Sequence, residues 1–164
     1  MHPLHLEGKW RIQAHGRGLV LPKRAGEKAS HCWMKGFLWY LYLPGYPHLQ
    51  VEKPIGHRYK PDVVAFAEAA QSYPQHQPLF WGEAGQVMVK KLETLFRQFP
   101  DTHFAVAKWG QLGNWVQLIE GALPRRRRAP VDLLCFPEDG LEQFVNPAGD
   151  IQLELNQVLR RRWA

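Results

Sequence analysis

The chain has 164 residues, 45% of them hydrophobic and 22% charged, a globular composition that excludes disorder as the main state. At this size about 70% of the unfolded surface can be buried, so no metal or disulfide staple is needed and one domain over residues 1–164 is expected. Twenty-one Lys and Arg against fifteen Asp and Glu leave a net charge of +6, a balance that favours anionic partners such as nucleic acid.

The first 29 residues, rich in Gly, His and basic side chains, read as a short strand or irregular basic arm. At 30–43, SHCWMKGFLWYLYL reads as a helix capped by Ser30, or partly as a strand. Its aromatic residues favour strand, whereas apolar residues on every side of a helical wheel favour a buried helix. The Pro44 to Pro47 stretch breaks the chain. LQVEK alternates as a strand over 49–53, YKPDVVAF is a second strand ending at Phe66, and 67–78 is a polar loop. LFWGEAG is a third strand over 79–85. In the following segment Met88, Leu92, Leu95, Phe96 and Phe99 define one apolar helix face, which Pro100 ends. THFAVAKW is a fourth strand over 102–109, WVQLIEGAL a short helix, and VDLLCF a fifth strand over 131–136. The tail 150–164 keeps Ile151, Leu155, Val158 and Leu159 at helical spacing and reads as a C-terminal helix. An α/β fold follows, with a mixed central sheet flanked by helices and a core at about 30–136. Its third and fourth strands are parallel, joined by a right-handed crossover.

Several chemistries lose their support. Cys32 and Cys135 form no CxxC, so neither a zinc framework nor a disulfide scaffold is expected, and two buried or half-buried thiols in a reducing compartment are. The eight histidines include no HxH or HExxH, and His2 and His5 lie at the terminus. P-loop, GxSxG and dinucleotide-binding patterns are missing. The longest apolar stretch, 37–43, is too short to span a bilayer, and no signal-peptide pattern opens the chain. A cytoplasmic protein with no membrane partner is expected.

Two acids stand inside apolar strands. Asp62 precedes Val63 and Val64, and Glu83 follows Phe80 and Trp81. A carboxylate buried in a sheet is costly unless it is paired, hydrogen-bonded or holding a cation. Two of them converging from neighbouring strands suit a hard divalent ion whose other ligands are water and phosphate oxygens. Each acid taken alone reads more simply as a strand-end residue facing water.

Lys60-Pro61-Asp62-Val63-Val64, then Trp81-Gly82-Glu83-Ala84-Gly85-Gln86, then a helix opening with lysines, resembles the PD-(D/E)XK nuclease superfamily, and within it the YaeQ-like proteins. The resemblance implies a restriction-endonuclease-like core of helix, three strands, helix and strand (αβββαβ). It implies Asp62 and Glu83 as ligands of Mg²⁺ or Mn²⁺, and hydrolysis of phosphodiester bonds in DNA or RNA. The family's lysine two residues after the second acid is replaced here by Gly85. By the same resemblance, Lys91 or Lys90 of the following helix supplies that cation; about 60° from Met88 on the wheel against about 160°, Lys91 is the better placed. Lys60 is a further candidate cation, and Glu27 or Glu52 a further acid. The run Arg125, Arg126, Arg127 and Arg128, expected to be exposed, and the run 160–162 would grip flanking phosphates. The alternative is a nuclease-fold protein without catalysis, acting as a nucleic-acid-binding or protein-interaction module.

Overall fold

The structure, a computed structural model, describes residues 8–23 and 26–164; His2 and His5 lie outside them. The basic arm contains an antiparallel hairpin, β1 (Gly8–Ala14) and β2 (Arg17–Lys23). Its two-residue turn places His15 at φ 53° and Gly16 at φ 73°, the left-handed pair that matches the twist of a tight hairpin. Ile12 and Leu21 are buried by it, which explains why a strand pairs here instead of an irregular arm. Helix α1 (Ala29–Tyr42) runs beneath the hairpin. Its apolar residues point in all directions because it is covered on one side by the hairpin and on the other by the sheet. Ser30 lies inside the first turn and does not cap it; the N-cap position is Lys28, without a side-chain bond.

The main sheet has six strands in sequence order: β3 (Gln50–Val51), β4 (Val63–Ala65), β5 (Phe80–Ala84), β6 (His103–Trp109), β7 (Val131–Phe136) and β8 (Leu159–Trp163). It is mixed. β3, β4 and β5 pair antiparallel, β5, β6 and β7 pair parallel, and β8 closes the edge antiparallel to β7. The crossovers carry α2 (Val89–Gln98) and α3 (Trp115–Ala122), which pack together on one face of the sheet; α4 (Gly140–Phe144) follows β7. Alternation divides the strands cleanly. Val63, Ala65, Phe80, Ala105, Ala107 and Leu134 face α1, whereas Val64, Trp81, Phe104, Val106 and Leu133 face α2 and α3.

Two expectations are corrected. The C-terminal segment is not a helix: a 3-10 turn at Leu155–Gln157 leads into β8. The helical spacing of its apolar residues is incidental, for Leu159 is 62% exposed, and the open edge of β7 offers a full ladder of hydrogen bonds to a strand. Met88 does not join the buried face of α2: it stands at the N-cap, 74% exposed, so the apolar stripe begins at Leu92. The strands around the acids are also shorter than the sequence implies. Pro61, which has no N–H, precedes β4, and Glu52 ends β3 with φ 60°.

Candidate active site

The antiparallel register of β4 and β5 sets Val63 opposite Gly82, and continuing it by one residue sets Asp62 opposite Glu83. Both acids continue the side of the strands that faces α2, where directly opposed side chains are close neighbours. Asp62 Oδ2 accepts the backbone N–H of Ala84 at 2.8 Å. Glu83, 5% exposed, accepts the indole N–H of Trp81 at 2.9 Å on Oε1. Burial, and then the negative charge of Asp62, push the Glu83 carboxyl up to about 7, against the pull of Lys91 and Trp81. Two carboxylates thus face each other in a largely dry setting.

Lys91, from the first turn of α2, brings its ammonium to 2.9 Å from Glu83 Oε1 and 5.2 Å from the centre of the Tyr59 ring. Lys90 is exposed, with no described side-chain partner, and does not join the acids. Gly85 carries no side chain for a physical reason: its φ is +83°, and an added Cβ would lie 3.1 Å from His31 Nδ1. In place of a side chain, its carbonyl oxygen accepts from the ammonium of Lys108. Lys108 sits at the carboxyl end of β6, on the same sheet side as Glu83, with its ammonium 3.6 Å from the centre of the Trp115 ring. Burial lowers it to about 8, partly offset by Glu83. Sequence reasoning missed Lys108. The signal was present, since positions 104, 106 and 108 alternate onto the face shared with positions 81 and 83.

The other candidates are committed elsewhere. Buried Lys35 bonds both Glu27, at 2.7 Å, and Glu52, and Lys60 pairs with Glu52 at 2.5 Å. Burial would raise the Glu52 carboxyl, but Lys35 and Lys60 together hold it below its usual value. This ion-pair group touches the acids through the backbone, where the Glu52 N–H donates to the Asp62 carbonyl at 2.9 Å.

The arginine run lies at the amino end of β7, away from the carboxyl ends of β5 and β6 where Glu83 and Lys108 lie. Arg125 and Arg126 are exposed, and Arg128 pairs bidentately with Asp101. Arg127 departs from the expectation of exposure. Its guanidinium turns inward, donates to the carbonyls of Phe96 at 2.8 Å and Phe99 at 3.0 Å and to that of Thr102, and lies over the Phe104 ring. The Phe96 carbonyl lies in the last turn of α2, where its helical partner would be Pro100, which has no N–H, so this arginine closes a helix.

The donor set of Asp62 and Glu83 suits a hard dication. Each carboxylate keeps one oxygen, Oδ1 and Oε2, without a protein donor among the described residues, and their mutual repulsion is the kind that bound positive charge relieves. No group of three His, Cys, Asp or Glu gathers among the described residues, so water and phosphate oxygens would complete the shell, as magnesium sites commonly require. Two clefts open at Gly85 and Gln86, in the connection that follows Glu83. One of about 550 Å³ extends towards Lys108 and Trp115, and one of about 440 Å³ extends towards Glu27 and His31.

Neither a protein-family model nor a curated protein sequence matches the chain. Solved structures do. The YaeQ protein from Pseudomonas syringae superposes with a TM-score of 0.62 at 13% identity, covering 93% of this chain and 86% of that one. The YaeQ protein from Xanthomonas axonopodis pv. citri superposes with a TM-score of 0.56 at 16% identity, covering 93% of each. The chain therefore has a YaeQ-like fold.

Proposed function

We propose that this chain, which shares its fold with YaeQ proteins, is a divalent-metal-dependent phosphodiesterase of nucleic acid with a PD-(D/E)XK-type site. One observation carries the reading: Asp62 and Glu83 oppose each other on one sheet face, and Lys91 reaches Glu83 from the next helix where Gly85 cannot supply a cation. The order α1, β3, β4, β5, α2, β6 supports a restriction-endonuclease-like core. Asp62 and Glu83 would hold Mg²⁺ or Mn²⁺. Such an ion, when bound, supplies positive charge at a phosphate oxygen and acidifies water. The Trp81 and Ala84 N–H groups hold the two carboxylates in fixed orientations. Lys91 stabilises negative charge as it grows on the phosphoryl oxygens, an interaction strengthened by the dry surroundings. Its ammonium also lies 5.2 Å from the centre of the Tyr59 ring, which helps to keep it at the acid.

Gly85 favours a second reading, a nuclease-fold binding module without catalysis, because the usual lysine is missing there. Incubation of mixed DNA and RNA, single-stranded and duplex, with Mg²⁺ or Mn²⁺ separates the two. Metal-dependent cleavage lost in Asp62→Ala supports the enzyme; binding without cleavage in any metal supports the module.

A further inference from the structure

The cleft of about 550 Å³ beside Gly85 is within the range of small-ligand pockets. Its walls are unlike each other. On one side the β5–α2 connection presents Gln86 and the exposed Met88 at the start of α2. That ten-residue helix opens with no side-chain cap and no acid in its first turn, so its free N–H groups favour an anion. On the other side stands Trp115, half-buried, with the Lys108 ammonium over its ring. Exposed Gln86 and Gln111 add amides that can both donate and accept. An aromatic plane, a cation, two amides and an anion-favouring helix start, two residues beyond Glu83, match one chemical unit: a nucleotide with its base out of any helix.

We propose that this cleft receives an unpaired nucleobase next to the scissile phosphate, which displaces the Lys108 ammonium from the face of Trp115 and stacks there, so that the substrate is single-stranded or locally unpaired nucleic acid. The proposal rests on the phosphodiesterase reading and adds strandedness to it. A paired base keeps its faces stacked on its neighbours and cannot enter. An unpaired one offers a π-face that Trp115 meets whatever the base, so little sequence preference is expected.

Binding is measured with the full chain in metal-free buffer, by anisotropy of a labelled single-stranded oligonucleotide, its duplex, and the same strand with abasic sites. The expected result is tighter binding of the single strand than of the duplex, and a loss of roughly 5- to 150-fold in Trp115→Ala, the size of one base–aromatic stack. Trp115→Phe keeps a ring and retains most of the affinity, which separates stacking from damage to α3. On the abasic strand Trp115→Ala matches the parent protein. Equal binding of single strand and duplex, no loss in Trp115→Ala, an equal loss on the abasic strand, or no binding at all would overturn the proposal. Cleavage assays keep its failure distinct: metal-dependent cleavage indifferent to Trp115 overturns the cleft alone, and Trp115-dependent binding without cleavage overturns the enzyme alone.

Discussion

In the proposed site, Lys91 takes the place of the lysine that the resembled family carries where Gly85 stands here. The positive φ of Gly85 is a backbone state that a β-carbon disfavours by roughly 1–2 kcal/mol. Gly85→Ala is accordingly expected to lower stability by about that amount in urea unfolding, with His31 crowded as well. On the proposed reading, Lys91→Ala removes a charge that acts on the transition state, together with the ion pair to Glu83. A fall in kcat of about 10²- to 10³-fold is expected with KM little changed, and a lower melting temperature because buried Glu83 loses its ion-pair partner. Lys90→Ala, on the exposed side of α2, leaves kcat near the parent value and serves as the control. This much of the site was legible in the sequence: two acids in apolar strands, and a wheel that put Lys91 nearer the sheet. Lys108 was legible only through the alternation of β6 and was overlooked, and Trp115 was not legible, because its nearness to Gly85 comes from the parallel pairing of β5 with β6, a contact between distant segments.

At the scale of elements, β8 shows how a strand can be hidden in a helix-like sequence. Its anchor is Asp132 on β7, fully buried, which accepts from Arg162 Nε at 2.7 Å, Tyr42 Oη at 2.6 Å and His103 Nε2 at 2.8 Å. Burial alone would raise this carboxyl, but the bonds from Arg162, His103 and Tyr42 outweigh it and hold it well below the usual carboxylate range. A carboxyl lowered by folding stabilises the protein fully above its unfolded pKa, and that stability drains away as pH falls through the carboxylate range. Urea midpoints taken from about pH 6 to about pH 3 should therefore fall steeply, and less steeply in Asp132→Asn. Arg162→Ala should cost about 1.5–3 kcal/mol near neutral pH, the usual worth of hydrogen bonds to a charged group. No pattern within 150–164 announces this. The strand is selected by an acid twenty-seven or more residues upstream and by a free sheet edge, whereas the apolar spacing that mimics a helix is local. The elements that were legible, α2 and the strands β5 to β7, have periodicities their packing preserves.

Across the whole molecule, the acids and the arginine run occupy opposite ends of the sheet. From His103 to Lys108 is five residues of strand, about 16 Å, which separates the amino ends, where Arg127 closes α2, from the carboxyl ends where Glu83, Lys108 and the cleft lie. Seen in composition alone, the run looked like a phosphate grip. In the fold, Arg127 serves α2 and Arg128 serves Asp101, leaving Arg125 and Arg126 facing outward. Replacing those two with Gln should leave the melting temperature unchanged. For a tetranucleotide held in the cleft, it should also leave the salt dependence of binding unchanged, where each lost phosphate contact would reduce the slope by about 0.7. The fold holds a hairpin over α1 on one face and α2 and α3 on the other, and no described helix is long and apolar enough to cross a membrane. Among the described residues, Asp62 and Glu83 are carboxylates that oppose each other on this sheet. The most direct test of that pair is Mn²⁺ binding to the full chain, followed by electron paramagnetic resonance. The account predicts saturable binding that is lost in Asp62→Ala while the melting temperature is retained; no binding by the parent protein, or equal binding by Asp62→Ala, would contradict it.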